Sequence, residues 1–171
     1  MSHHTVIRAL RAERPTLTLD FAARASAVVG MELAASLHPA GAPARDKGHL
    51  ALLERLRRRL APSLRWRPEV PVPIPGDPRS ADAVIESEAF EILVEAETHL
   101  YDVQALERAI SGKQRDLGIG TIILLVADTR HNRQVISSLP DLRARFPIPA
   151  RVALAALARG QAPGGDAIIV L

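Results

Sequence analysis

Residues 121–127, TIILLVA, form an uninterrupted apolar run, the mark of a strand buried on both faces. A chain holding such a strand must cover two sides of a sheet. The rest of the sequence offers the parts. FEILVEAET (90–98) alternates: Ile92, Val94 and Ala96 take one face, and Leu93, Glu95 and Glu97 the other. ADAVI (81–85) precedes it, joined by ESEA as in a hairpin, and AIIVL (167–171) reads as a last strand. SLRWRPEVPVPIPGDP keeps Leu64, Trp66, Val70, Val72 and Ile74 largely in step, and its prolines suit an edge strand.

Helices are expected at about 46–61, 101–116, 130–138 and 149–160. In the first of these, Leu50, Leu53, Leu56 and Leu60 form an apolar stripe, with Glu54 at its edge and Arg55, Arg58 and Arg59 pointing away. Those arginines suit a solvated face or a phosphate-contacting one. In the second, Val103, Leu106, Ile110 and Leu117 face inward, and Gln104, Arg108, Ser111 and Arg115 share one flank. Thr129 is placed to cap the third and Gly160 to stop the fourth. The predicted class is α/β: a mixed sheet flanked by helices, αβββαβ at its core.

Residues 1–44 are set apart. They suggest helices at 5–13 and from Thr16 to Gly30, a strand over 31–38, and a Pro/Gly/Ala-rich linker, with a boundary near residue 45. The main domain then spans 45–171. The 171 residues suffice for one buried core with a small appendage. Cysteine is absent, which excludes disulfides and thiolate metal sites. The formal charge is only +3, with Lys47 and Lys113 the only lysines. That arginine bias follows from a GC-rich genome, and it also suits bidentate phosphate contact. No apolar run approaches membrane-spanning length, and MSHHTVIRAL lacks the apolar core of a signal peptide, so a cytoplasmic protein with no membrane partner is expected.

The candidate chemistry lies between Arg79 and Arg115. Asp82 falls on one strand, and Glu95 and Glu97 fall on the next, two residues apart on one face. Carboxylates so held on a rigid scaffold suit a hard cation such as Mg²⁺; the same residues also fit an acidic, solvated strand face. His99 and His131 read as loop histidines or metal ligands. Asp128 reads as a helix-capping neighbour of Thr129, or as a group able to reach a ligand at the strand end.

The order of elements from Asp46, with acids on the second and third strands, resembles the PD-(D/E)XK, or restriction-endonuclease-like, nuclease superfamily. The resemblance covers residues 46 to about 128. It implies that Asp82 and Glu95 bind Mg²⁺ or Mn²⁺, that Glu54 assists from the first helix, and that Gln104 matches the helix glutamine of the RecB-like branch. Glu97 stands where the superfamily carries lysine, as in a minority of restriction enzymes with Glu-x-Glu, and Ala81 replaces its proline. Lys113 offers a lysine from the helix instead, on the opposite side of the apolar stripe from Gln104. The segments LTLDFAARASAVVGMELAASLHP and ILLVADTRHNRQVI resemble actinobacterial proteins that join an Xre-type helix-turn-helix to a nuclease-like domain, with residues 5–38 matching only the tail of the DNA-binding part. The implied function is a nuclease-like, nucleic-acid-associated protein, with DNA as partner and a homodimer as one form. The alternative is a catalytically degenerate DNA-binding or dimerising transcriptional regulator that keeps the fold.

Overall fold

The computed structural model describes residues 19–28, 30 and 47–171. The chain divides into two compact units, Met1–Pro43 and Ala44–Leu171. In the first, α1 (Leu19–Val28) ends at Gly30, whose φ of 70° and N–H bond to the Ala27 carbonyl form a left-handed stop. The expected helix at 5–13 and strand at 31–38 lie outside the described residues.

The second unit runs α2 (Lys47–Arg57), β1 (Arg65–Pro71), β2 (Ser80–Glu86), β3 (Glu91–Glu97), α3 (Val103–Leu117), β4 (Thr121–Val126), α4 (Arg130–Ser138), α5 (Pro140–Arg145), α6 (Ala150–Ala158) and β5 (Ala167–Val170). The five strands form one mixed sheet in sequence order, β1-β2-β3-β4-β5. The pairs β1–β2 and β2–β3 are antiparallel, while β3–β4 and β4–β5 are parallel. The class is therefore α/β, as the sequence suggests. β4 is the strand read from TIILLVA. Ile122 to Val126 are fully buried between two parallel neighbours, and each such side chain contributes about 1.5–3 kcal/mol by leaving water. β1 forms one edge, where Pro68 and Pro71 blunt further pairing.

Two apolar layers sandwich the sheet. One gathers Leu52, Leu53 and Leu56 of α2 and Leu157 of α6 over Ile85, Ile92, Val94, Ile123 and Ile169. The other gathers Ile110 of α3, Leu142 and Phe146 over Val84, Leu93, Ile122 and Leu124. The division within β3 follows the alternation expected from FEILVEAE. The stripe of α2 does not follow expectation. Leu52, Leu53 and Leu56 are buried, while Leu50 is 50% exposed. The inward face is thus rotated toward Leu52, and at helical spacing His49 joins it.

One step of the sheet is irregular. β1 and β2 pair at Pro68↔Ala83 and again at Val70↔Ala81, skipping Glu69, which alone among the described non-glycine residues has positive φ, 52°. Trp66 packs with the first layer and Val70 with the second; Ala83 packs with the first and Ala81 with the second. Both strands therefore change faces at Glu69 and Asp82. A left-handed residue with a β-carbon costs about 1–2 kcal/mol. Glu69→Val and Glu69→Gly both remove the carboxylate but differ in tolerance of this conformation. Urea denaturation is expected to find the valine variant less stable than the glycine variant by about 1–2 kcal/mol. Equal stability of the two would show that no strain is held there.

Candidate active site

The irregular step creates the site. β2 and β3 pair from Glu86↔Glu91 to Ala83↔Val94 and no further. One more step would set Asp82 opposite Glu95. Instead, Asp82 Oδ2 accepts the Ala96 N–H at 2.8 Å, so a side chain takes over a ladder hydrogen bond where the strands part. Groups from both helical layers meet the carboxylates at this opening. From α2, His49 Nε2 lies 3.2 Å from Asp82 Oδ2. From α3, Lys113 Nζ donates to Glu95 Oε2 at 2.6 Å. All four side chains are largely shielded from water.

The electrostatics differ from one carboxylate to the next. Burial alone would raise the Asp82 carboxyl, but His49 and the Ala96 N–H outweigh it and hold the group below the ordinary value. Burial dominates at Glu95 and pushes its carboxyl up to about 7, although Lys113 opposes the rise. Glu97, partly buried on the same face, is raised by burial first and by Asp82 second, with His49 and Lys113 opposing. Glu95 Oε1 is buried with no hydrogen-bond partner among the described residues. An unmet buried acceptor costs about 1–3 kcal/mol; the backbone N–H of Asp82 acts on the same carboxylate and, with Lys113, opposes the effect of burial.

The structure thus brings together Asp82, Glu95 and Glu97, and adds His49 and Lys113. Glu54 lies elsewhere. It is bound by Arg58 at 3.1 Å and Arg57 at 3.8 Å on the outer side of α2, because the rotated apolar stripe turns residue 49 inward and residue 54 outward. The signal for His49 was its i, i+3, i+4 and i+7 relation to Leu52, Leu53 and Leu56. Gln104 is exposed, on the flank of α3 opposite Lys113. There it lines a hollow of about 590 Å³ together with Arg108, Ser111 and Arg115, the flank expected from the sequence, and with Arg79 and Arg145 from elsewhere in the unit. Gly112 lets Arg79 lie across the helix, since a β-carbon there would stand 3.1 Å from Arg79 Nη1.

Asp128 pairs with Arg133 at 3.2 Å, and Thr129 caps α4 by accepting the Asn132 N–H. His99 and His131 stack on each other instead of joining the carboxylates. Among the described residues no group of three or more His, Asp or Glu side chains is arranged to hold a metal ion, and no helix is long and apolar enough to cross a membrane. Comparison with protein-family models, curated proteins and solved structures finds no match to this chain.

The raised Glu95 carboxyl has a measurable consequence in metal-free protein. The folded state keeps the proton to about pH 7, whereas the unfolded chain releases it near 4.5. Between those values the folded state binds more protons, so its stability falls as pH rises from 4.5 to 7 and levels off above. The loss over that interval is about 3 kcal/mol, since each pH unit within it removes roughly 1.4 kcal/mol. Glu97 acts in the same sense, while Asp82 acts only below its ordinary range. Denaturation across pH 4–8 is expected to show this decline, and Glu95→Gln is expected to remove most of it. An identical profile in the variant would disprove the assignment.

Proposed function

We propose that this chain is a nuclease-like protein that hydrolyses phosphodiester bonds of nucleic acid with a divalent metal, using Asp82, Glu95, Glu97, His49 and Lys113. The observation that carries the reading is the buried Glu95. One of its oxygens pairs with Lys113 at 2.6 Å, and the other is buried without a side-chain partner, with only the Asp82 N–H acting on the carboxylate besides. That poorly satisfied oxygen, close enough to Asp82 to feel its charge, would suit a cation. The order α2-β1-β2-β3-α3-β4, with acids on the second and third strands, supports a restriction-endonuclease-like core.

Asp82 and Glu95 would hold the ion, and the nearby imidazole of His49 favours Mn²⁺ over Mg²⁺. Bound there, a divalent ion supplies charge that polarises the phosphate and acidifies a water. His49 keeps the Asp82 carboxylate ionised and aimed. Glu97, whose carboxyl is raised by burial and by Asp82, would accept a proton from the attacking water. Lys113, held against Glu95 at 2.6 Å, would offset charge developing on the phosphate, so the cation missing from position 97 would come from the helix. The arginine-lined hollow on the other flank of α3 suits the phosphate backbone.

One observation favours a second reading, a regulator that binds nucleic acid without cleaving it. No three-ligand group is arranged for a metal among the described residues, and Asp82 and Glu95 are already closed by His49 and Lys113.

Cleavage of supercoiled plasmid and of labelled single strands in Mn²⁺ separates the two. The enzyme reading predicts activity that falls about 100-fold or more in Asp82→Asn and in Lys113→Met, and stays within about twofold in Glu54→Gln, whose partners lie on the surface. Absence of cleavage on every substrate, with binding retained, would establish the regulator. Binding itself is expected to weaken with salt, and Arg108→Ala with Arg115→Ala is expected to reduce the logarithmic salt slope by about 0.7–0.9 per arginine. An unchanged slope would remove the hollow from the interface.

A further inference from the structure

Beyond β3 the chain builds a stack of rings that the carboxylate cluster does not use. His99 lies against Tyr101, with ring centroids 3.9 Å apart and planes at 29°. It also lies against His131, at 4.1 Å and 17°. Tyr101 remains 85% exposed, so the stack ends in an aromatic ring open to water.

The stack is firmly mounted. His131 Nε2 bonds the Leu100 carbonyl at 2.8 Å. Asn132 is fully buried, accepts the Leu100 N–H at 2.9 Å, and donates to the Thr98 and Ala127 carbonyls at 3.0 and 2.9 Å. A buried amide with three backbone partners fixes the turn that carries the rings, so little ordering would be needed when a flat ligand stacks on it.

Tyr101 stands between two hollows. The smaller, about 130 Å³, is lined by Glu97, His99 and Tyr101, among others, and so sets one of the carboxylates beside the ring stack. The larger, about 410 Å³, is walled by Tyr101, Val103, Leu139 and Leu142, with Gln104 and Asp141 as polar groups. Its charged lining is acidic, which repels phosphate and accepts hydrogen bonds from base amino groups. The arginine-lined hollow has the opposite character, and Gln104 and Glu107 border both. A nucleic-acid strand laid here meets one wall suited to its bases and a neighbouring wall suited to its phosphates. A duplex keeps its bases stacked inside and cannot fill both, whereas an unpaired strand can.

Resting on the nucleic-acid reading above, we infer that the substrate is single-stranded or locally unpaired, and that Tyr101, backed by His99 and His131, is the platform on which an unpaired base stacks.

The test uses the full chain in EDTA, so that nothing is cleaved, with an oligonucleotide carrying 2-aminopurine, as a single strand and in a duplex. The single strand is expected to bind at least about 10-fold more tightly, with its fluorescence quenched by stacking. Tyr101→Ala should weaken single-strand binding about 5- to 100-fold and abolish the quenching, and Tyr101→Trp should keep both. Because the ring is exposed, circular dichroism of the variants should match that of the native chain. Unchanged binding and quenching in Tyr101→Ala, or a duplex bound as tightly as the single strand, would overturn the platform while leaving a nucleic-acid-binding protein. Failure of the native chain to bind either form would overturn the nucleic-acid reading and the platform with it.

Discussion

Asp82 accepting the Ala96 N–H is the contact on which the rest of the site depends. A ladder that simply stopped between β2 and β3 would leave a backbone donor unmet in a shielded place. The carboxylate meets it and in doing so settles between the parting strands. That position makes it reachable from both layers, by His49 on α2 and, across Glu95, by Lys113 on α3. The left-handed Glu69 belongs to the same event, because it lets β1 follow the turn of β2 through the skipped step.

The polar groups then divide the labour by environment. Asp82 is held below its ordinary range by the adjacent His49 and by the Ala96 N–H. Glu95, one strand away, is held near neutrality by burial despite its lysine. Carboxylates pushed apart in this manner, beside a histidine and a lysine, are a typical arrangement of acid–base sites. The surface around α3 is divided as well: arginines line the hollow on its outer flank, and an acidic, partly apolar hollow with an aromatic wall lies by its first turn. A strand of nucleic acid has the same two-sided chemistry.

Much of the fold was legible. TIILLVA demanded a strand covered twice, and β4 is that strand; the alternation in FEILVEAE separated Glu95 and Glu97 from Ile92, Val94 and Ala96. Caps at Thr129 and stops at Gly30 followed from local chemistry. What was not legible was rotation. The leucines of α2 allow two stripes a fraction of a turn apart, and choosing the one with Leu50 put Glu54 at the edge and hid His49. The partner of Glu95 was likewise unreadable, since periodicity places Lys113 on one side of its helix but not which strand acid that side meets. The break at Asp82 left no signature in ADAVI, because it arises from pairing with two other strands. The short helix α5, Pro140–Arg145, was also missed, being too brief to show a period.

The most direct test of the central claim, that Asp82 and Glu95 form a cation site at the opened step, is calorimetric titration of the native chain and Glu95→Gln with Mn²⁺ at pH 7, repeated in two buffers of different ionisation heat. The predicted result is saturable binding with proton release, because a carboxyl held near 7 must give up its proton to the ion, and loss of that binding in the variant. No binding by the native chain, or equal affinity and equal proton release in Glu95→Gln, would contradict it.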